Sequence, residues 1–474
     1  MTTPPLKGYQ QEGIDWIRRV ERGILADEPG LGKTRVAIEA FDGGRNLVIA
    51  PKLIIEGGVW RDELRKWSKD PDNPDKWTVL PYTMLNARKQ VGNRASSTRP
   101  INVLRPELKK QKWDALILDE AHYVKGRDTS WTWAAQWINR GASATLPMTG
   151  TPIPNWSHEM FSLLQLIYPE EAKRGQRLGS FWRWAEQWFD CEPTKYSKGM
   201  PVAGEMLACS RTPAQLKECL ARPATDPCEH YNKFVVENLG EHWLRRWRGD
   251  VLDLPQKTDQ EISTPMTAAA KKAYLSLKAD FYAMYEGKEI MKWSQGALNV
   301  ALDKMTTSPW LLTQEGPPKG GKFEMLRYDL KNRVRPTLVL AHYQQTVEAC
   351  VEVARSVGAS AEPVHGGIPS GRRSKAIESF KSGRLDVLVG SLETIAEGHT
   401  FTEADMAIFV EKSFKPSRNE QAMYRVWRLG QTRPVTIKDY VTPNSVDAKK
   451  RRLLATKTDR QMRMMTAAQF MELI

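Results

Sequence analysis

The chain has 474 residues, 41% of them apolar and 9% aromatic, enough to bury large cores and to exclude wholesale disorder. Lys and Arg number 70 against 56 Asp and Glu, a formal charge of +14, which points to a polyanionic partner, nucleic acid first. There is no apolar run of membrane-span length, no signal-like apolar start and only five scattered cysteines, so a cytoplasmic or DNA-associated protein is expected rather than a secreted one.

Residues 22–26 read as a short strand ending in a Gly-rich turn, and 33–41 (KTRVAIEAF) as a helix. Apolar strands follow at 46–50, 114–118 and 144–148. Short, nearly continuous apolar runs separated by helices predict a buried parallel sheet. Residues 156–312 are richer in Trp, Arg and Lys with weak strand signal, and read as mostly helical. Glu315–Gly321 (EGPPKGG) has the composition of a flexible joint. A second strand series is expected at 337–341, 385–390, 406–410 and 435–441. Two α/β lobes therefore flank a different middle.

Asp27–Thr34 (DEPGLGKT) lies between a strand and a helix. Gly30 and Gly32 let the backbone curl so that several N–H groups face one anion, and the helix start adds its positive end. Lys33 would reach the β/γ phosphates and Thr34 would place a hydroxyl on Mg²⁺. Asp27 stands where the strict phosphate-loop pattern has Gly, and a Gly-rich turn capping a helix is the plainer alternative. Downstream, Leu118–His122 (LDEAH) closes an apolar strand. Asp119 there would hold Mg²⁺ through water, and Glu120 would orient and deprotonate the attacking water. His122 would touch the γ-phosphate region or the next motif. A phosphate loop followed by paired carboxylates at a strand end reads as a nucleoside triphosphatase.

These motifs resemble the Snf2-like members of helicase superfamily 2, the ATP-driven double-stranded DNA translocases, from about residue 6 to the C-terminus. Leu6–Gln10 (LKGYQ) resembles their adenine-reading start, which makes Gln10 the base contact. Ile24–Thr34 resembles their phosphate loop, which also carries Asp-Glu before the glycines and so accounts for Asp27; Pro29 stands where the family usually has Met. Leu47–Pro51 with Trp60 and Glu63–Trp67 resembles motif Ia, Asp119–Lys125 motif II, and Thr149–Pro152 motif III, which couples nucleotide state to DNA contact. Leu244–Leu252 with Leu254–Lys257 is similar to a segment peculiar to the family, and Ser308–Leu312 to the end of its second helical insertion. Gly398 with Thr400–Asp405 resembles motif V, in a Gly-x-Thr-Phe form closest to the fork-remodelling, annealing-helicase branch. Residues 391–397, with Glu393 and Glu397, depart from that motif's small-residue pattern. Gln421–Gln431 resembles motif VI very closely. Spacings of four and three put Gln421, Arg425 and Arg428 on one helical face, with Arg428 as arginine finger and Arg425 beside it.

The resemblance implies an α/β fold with two RecA-like parallel-sheet lobes and helical insertions. Lobe 1 is expected at 1–255 with its insertion at about 156–250, and lobe 2 at 256–474 with its insertion at about 267–312. The implied cofactors are ATP and Mg²⁺. The nucleotide would be held by Gln10, Asp27, Gly30, Gly32, Lys33, Thr34, Gly398 and Gln421. Catalysis would fall to Lys33, Asp119, Glu120, Arg425 and Arg428, with Thr34 and Asp119 on the metal. The implied activity is translocation on duplex DNA that remodels branched structures, largely independent of sequence. A strand-separating DNA or RNA helicase, a motor subunit of a restriction or defence complex, and a DNA-binding scaffold with a degenerate ATPase are the rivals. The short flanks suggest a stripped bacterial or viral motor.

Other signals are set aside. Cys191, Cys209, Cys219, Cys228 and His230 contain no Cys-x₂-Cys pair, which argues against zinc. The Trp clusters 131/133/137 and 182/184/188 read as core rather than base-stacking platforms. Lys449–Arg452, with Lys457, Arg460 and Arg463, reads equally as a DNA-tracking stretch or a solvated helix face.

Overall fold

The structure, a computed structural model, describes residues 5–89, 101–109, 111–150, 157–193, 201–206, 212, 214, 218–219, 228–396 and 399–455. The chain divides into two compact units, the first running to Val251 and the second starting at Leu252.

In the first unit six strands form one parallel sheet: β1 (Ile24–Leu25), β2 (Asn46–Ala50), β3 (Trp77–Pro81), β4 (Trp113–Asp119), β5 (Ala142–Met148) and β6 (Trp243–Leu244), in the order β6-β1-β5-β4-β2-β3. Every residue of β2 is buried, so both sheet faces must be covered. Alternation divides the work. Leu47, Ile49, Leu116 and Leu118 face one apolar cluster, while Val48, Ala50, Ala115 and Ile117 face the other. The second cluster is closed by helices α1 (Gly8–Val20) and α2 (Lys33–Phe41). The first takes in Trp184, Trp188 and Phe234, which pack edge-on, so these two tryptophans are core. Trp133 in the other cluster of indoles is 48% exposed.

In the second unit the parallel sheet comprises β7 (Lys257–Ser263), β8 (Thr337–Ala341), β9 (Ala361–Val364), β10 (Val387–Ser391), β11 (Met406–Phe409) and β12 (Val435–Val441), ordered β7-β12-β11-β8-β10-β9. Leu338 and Leu340 of central β8 face one core, Val339 and Ala341 the other. At the end of β8 the buried Glu411 carboxylate accepts from the amides of His342 and Tyr343, both at 3.0 Å, and from the hydroxyls of Thr307 and Thr346, both at 2.8 Å. A buried charge is tolerable only with such a full set of donors.

Two expectations need correction and one needs detail. The stretch 156–312 is mostly helical among the described residues, but it also holds hairpins Phe189–Pro193/Pro201–Met206 and Tyr282–Tyr285/Lys288–Met291, and the sheet strands β6 and β7. β7 is a polar edge strand, largely exposed, and β6 is two residues long, so neither has an apolar run to betray it. Glu315–Gly321 lies inside the second unit and is tied down. The Trp310 indole donates to the Glu315 and Gly316 carbonyls at 3.1 and 3.0 Å, and Ser308 Oγ donates to Lys319 O at 2.6 Å. A Cβ on Gly321 would stand 2.2 Å from the Thr307 carbonyl, so close approach, not flexibility, explains that glycine. Lastly, the 449–452 run is split: Lys449 and Arg452 are exposed, whereas Lys450 and Arg451 are engaged by acids. Lys450 is buried against Asp303 at 2.6 Å, and Arg451 pairs with Glu261 at 3.3 Å and with Asp439. Lys457, Arg460 and Arg463 lie outside the described residues. Among the described residues no helix is long and apolar enough to cross a membrane.

Candidate active site

Strand register assembles the site. Leu25 of β1 pairs with Met148 of β5, Met148 with Asp119 of β4, and Leu25 with Leu244 of β6. In a parallel sheet all four chains then leave the same edge. The turn after β1, the Asp119–Glu120 pair, Thr149–Gly150 and the Arg245–Arg248 segment therefore converge there, where open α/β sheets bind ligands.

The turn after β1 needs its glycines. Gly30 has φ +90° and Gly32, the N-cap of α2, has φ +82°. A Cβ on Gly32 would meet the Gln10 amide at 2.4 Å. Gln10 itself is buried, accepting from the Lys7 amide at 3.1 Å and donating to the Leu31 carbonyl at 3.3 Å, so it ties the start of α1 to the loop. Lys33 opens α2 and folds its ammonium back onto the carbonyls of Asp27 (2.6 Å) and Glu28 (3.3 Å). Burial lowers its pKa, and the nearby Glu120, Asp27 and Asp119 oppose that shift. Thr34 is the next helical residue, half-buried.

Asp119 ends β4. Its carboxylate accepts from the Trp60 indole at 2.8 Å and its carbonyl from the Tyr82 hydroxyl at 2.9 Å. Burial first, and the Glu120 charge second, push its pKa up to about 6; Trp60 and Lys33 pull the other way. Glu120 turns the chain off the strand with φ +51°. This left-handed geometry is strained for Glu and is common where a side chain must be aimed. His122 Nδ1 lies 3.2 Å from the Glu120 carboxylate and 3.3 Å from Thr149 Oγ1, so it touches the next motif as expected. Thr151 and Pro152 of that motif are outside the described residues. Pro29 is packed on Gly150, where a Cβ would come within 2.7 Å of the proline ring. The loop and the Thr149–Gly150 turn thus share a surface.

A clamp beneath the loop has no local sequence signature. Asp27, fully buried, receives three bonds from Arg246: the amide at 2.9 Å, Nε at 3.1 Å and Nη2 at 2.6 Å. Its carboxylate is thus held by Arg246 at the base of the loop. Arg245 Nη1 donates to the carbonyls of Ala26 (2.5 Å) and Gly150 (3.2 Å), and the Arg248 amide donates to Glu28 at 2.8 Å. The family-like run LRRWRGD therefore holds the loop from beneath. Three arginines within four residues and an Asp-Glu pair elsewhere were the available signal.

In the second unit Arg425 donates through Nε to the Ala396 carbonyl at 3.1 Å and again through Nη2, while Arg428 Nη1 donates to Thr400 Oγ1 at 2.9 Å. Gln421 is buried, accepting from Arg418 at 3.5 Å. The expected shared helical face is not present. The helix Pro416–Met423 stops before Arg425, whose carbonyl accepts from the Phe401 amide at 2.7 Å instead of continuing the helix. The two guanidinium groups are held by Ala396 and Thr400. Gly398 and Glu397 lie outside the described residues.

The first-unit residues fit a magnesium nucleotide. A loop opened by two positive-φ glycines, a half-buried ammonium at a helix start, and two carboxylates beside it match the charges of a triphosphate and its cation. Lys33 and the loop amides could hold phosphates, and Thr34 and Asp119 the metal.

Fold and site define a class: an α/β protein of two parallel-sheet units, the first with a glycine-hinged loop, a lysine and paired carboxylates on one sheet edge. The SNF2-related domain matches residues 9–307, more than half of the chain, and the helicase conserved C-terminal domain matches residues 321–430. The chain belongs to the SNF2-related family. It is 24% identical to the mouse (Mus musculus) DNA annealing helicase and endonuclease ZRANB3, over 96% of this chain and 42% of that protein. It is 26% identical to the Saccharomyces cerevisiae ISWI chromatin-remodeling complex ATPase ISW1, over 94% and 39% respectively. The chain thus spans about two-fifths of the length of these curated relatives. The Sulfolobus solfataricus SWI2/SNF2 ATPase core in complex with dsDNA aligns over 100% of this chain and 96% of its own, at 18% identity and a TM-score of 0.40.

Proposed function

We propose that this chain is an ATP-dependent double-stranded DNA translocase that remodels branched DNA by fork regression, branch migration or strand annealing. The observation that carries it is the convergence of Lys33, Asp119 and Glu120 on one glycine-hinged sheet edge in a member of the SNF2-related family. The names of the curated relatives and the +14 charge support DNA as the partner.

ATP supplies the phosphoanhydride that is broken, and Mg²⁺ neutralises its charge. Lys33 and the amides around Gly30 and Gly32 bind phosphates. Thr34 and Asp119 orient the cation, the latter largely through water. Glu120 aligns water and takes its proton, and Gln10 reads the base. Arg425 and Arg428 stabilise the departing phosphoryl charge, with Gln421 and Gly398 beside them. The reading assigns lobe 1 to residues 1–255, with an insertion at about 156–250. Lobe 2 takes 256–474, with an insertion at about 267–312. Alternating affinity of the two lobes for phosphate backbone would move the protein along duplex without reading bases.

The test is phosphate release measured without nucleic acid and with single-stranded DNA, duplex DNA, a four-way junction and RNA. Turnover is expected to rise about tenfold or more with duplex or junction. Stimulation by RNA alone overturns the substrate reading. Lys33→Ala and Glu120→Gln are each expected to cut turnover by about 100-fold or more while DNA binding survives. Normal turnover in either ends the site assignment.

A further inference from the structure

We propose that Cys219, Cys228 and His230 bind a zinc ion that staples the Trp-rich segment of the first unit. The inference is independent of the nucleotide site.

Cys219 Sγ lies 3.8 Å and Cys228 Sγ 3.6 Å from His230 Nδ1, and all three donor atoms fall within 4.8 Å of one another. A tetrahedral ion with Zn–S of about 2.3 Å and Zn–N of about 2.0 Å requires S···N edges of about 3.5 Å. Both observed edges are near that value. Both sulfurs are buried, and the histidine is half-buried. The other ring nitrogen, Nε2, lies 3.9 Å from the exposed Glu229 carboxylate, too far for a direct hydrogen bond, and leaves Nδ1 turned toward the two sulfurs. Two thiolates and an imidazole form a donor set suited to zinc.

The local fold explains why the spacing gave no warning. Residues two apart on a helix point to different sides, so a Cys-x-His pair within one would diverge. Cys228 is instead the N-cap of the helix Glu229–Asn238, with extended φ −67° and ψ 159°, and only His230 is on the helix proper. The cap geometry brings the thiol back beside the ring. This three-residue cluster is a feature that a Cys-x₂-Cys spacing would not announce. The same helix packs Phe234 edge-on against Trp188. An ion at its start would anchor it to the segment carrying Cys219. Three protein donors leave one tetrahedral position for water or a further ligand.

The experiment uses the full chain, purified with reductant, loaded with Zn²⁺, freed of excess by gel filtration and analysed for metal by mass spectrometry. About one zinc per chain is expected in the unsubstituted protein and equally in Lys33→Ala, which separates this site from the nucleotide site. The double variant Cys219→Ser/Cys228→Ser is expected to retain less than about a tenth of that zinc. With Co²⁺ in place of Zn²⁺, a thiolate-to-cobalt charge-transfer band is expected in the near ultraviolet and its intensity is expected to drop in His230→Gln. Folded, unsubstituted protein that retains no zinc and shows no cobalt band overturns the proposal. So does full metal retention in a folded double-serine variant. Should that variant not fold, the cobalt band of the unsubstituted chain and its loss on chelation decide alone.

Discussion

Asp119 is held between opposing influences. Burial and the Glu120 charge favour its neutral form, whereas the Trp60 indole and Lys33 favour the carboxylate. With its pKa raised from 3.8 to about 6, the native state binds a proton more tightly than the unfolded chain. This contribution to stability is fully present below the unfolded value and is lost as pH rises through the folded one. Asp119→Asn keeps an acceptor for Trp60 and removes the charge. In the nucleotide-free protein the variant is therefore expected to match the parent near pH 4 and to exceed it by about 1–3 kcal/mol at pH 7.5. Thermal midpoints of both proteins across that range check the sign; a parent that gains relative to the variant as pH rises refutes the assignment. Such a cost is consistent with the proposed role of Asp119 toward a cation. At this scale the sequence was informative, because Asp119, Glu120, Lys33 and Thr34 sit in short local patterns. It was uninformative about Trp60 as the partner that aims Asp119, since 59 residues separate the two.

At the scale of elements, continuous apolar runs announced the central strands. β2 (Asn46–Ala50) and β8 (Thr337–Ala341) coincide with the expected ranges, because strands buried on both faces have no polar side to disguise them. Edge strands β6 and β7 were hidden by the opposite circumstance. Contacts of high sequence separation were equally invisible: Asp27 and Arg246 are 219 residues apart. That pair is the centre of the clamp on the glycine turn after β1, and both partners are buried. Arg246→Ala leaves Asp27 as an unpaired buried charge, so a loss of about 3–5 kcal/mol is expected. Asp27→Asn/Arg246→Ala removes both charges and is expected to recover part of that loss. Denaturant midpoints of the two singles and the double form the cycle. Strict additivity would mean that the guanidinium is held by the Tyr9 carbonyl, to which its Nη1 also donates, rather than by Asp27.

At the scale of the whole molecule, the proposed chemistry divides its groups between the units: Lys33, Asp119 and Glu120 belong to the first, Arg425 and Arg428 to the second. Binding and turnover should therefore separate by mutation. Arg428 is the better probe, because its hydrogen bond runs to the Thr400 side chain, whereas Arg425 also supports the Ala396 carbonyl. In Arg428→Ala, the affinity for a non-hydrolysable ATP analogue with Mg²⁺ is expected to stay within about threefold, since the loop, lysine and carboxylates are untouched. Turnover at saturating duplex DNA is expected to fall about 10³-fold or more, the scale of a lost arginine finger. Arg428→Lys should not restore it, because a point charge cannot replace a planar fork on a phosphoryl group. The salt dependence of DNA binding distinguishes the competing role. A guanidinium spent on the nucleotide leaves the slope of log affinity against log salt unchanged, whereas one spent on the DNA backbone lowers it by about one ion. Full turnover with a reduced slope would move Arg428 from the chemistry to the track.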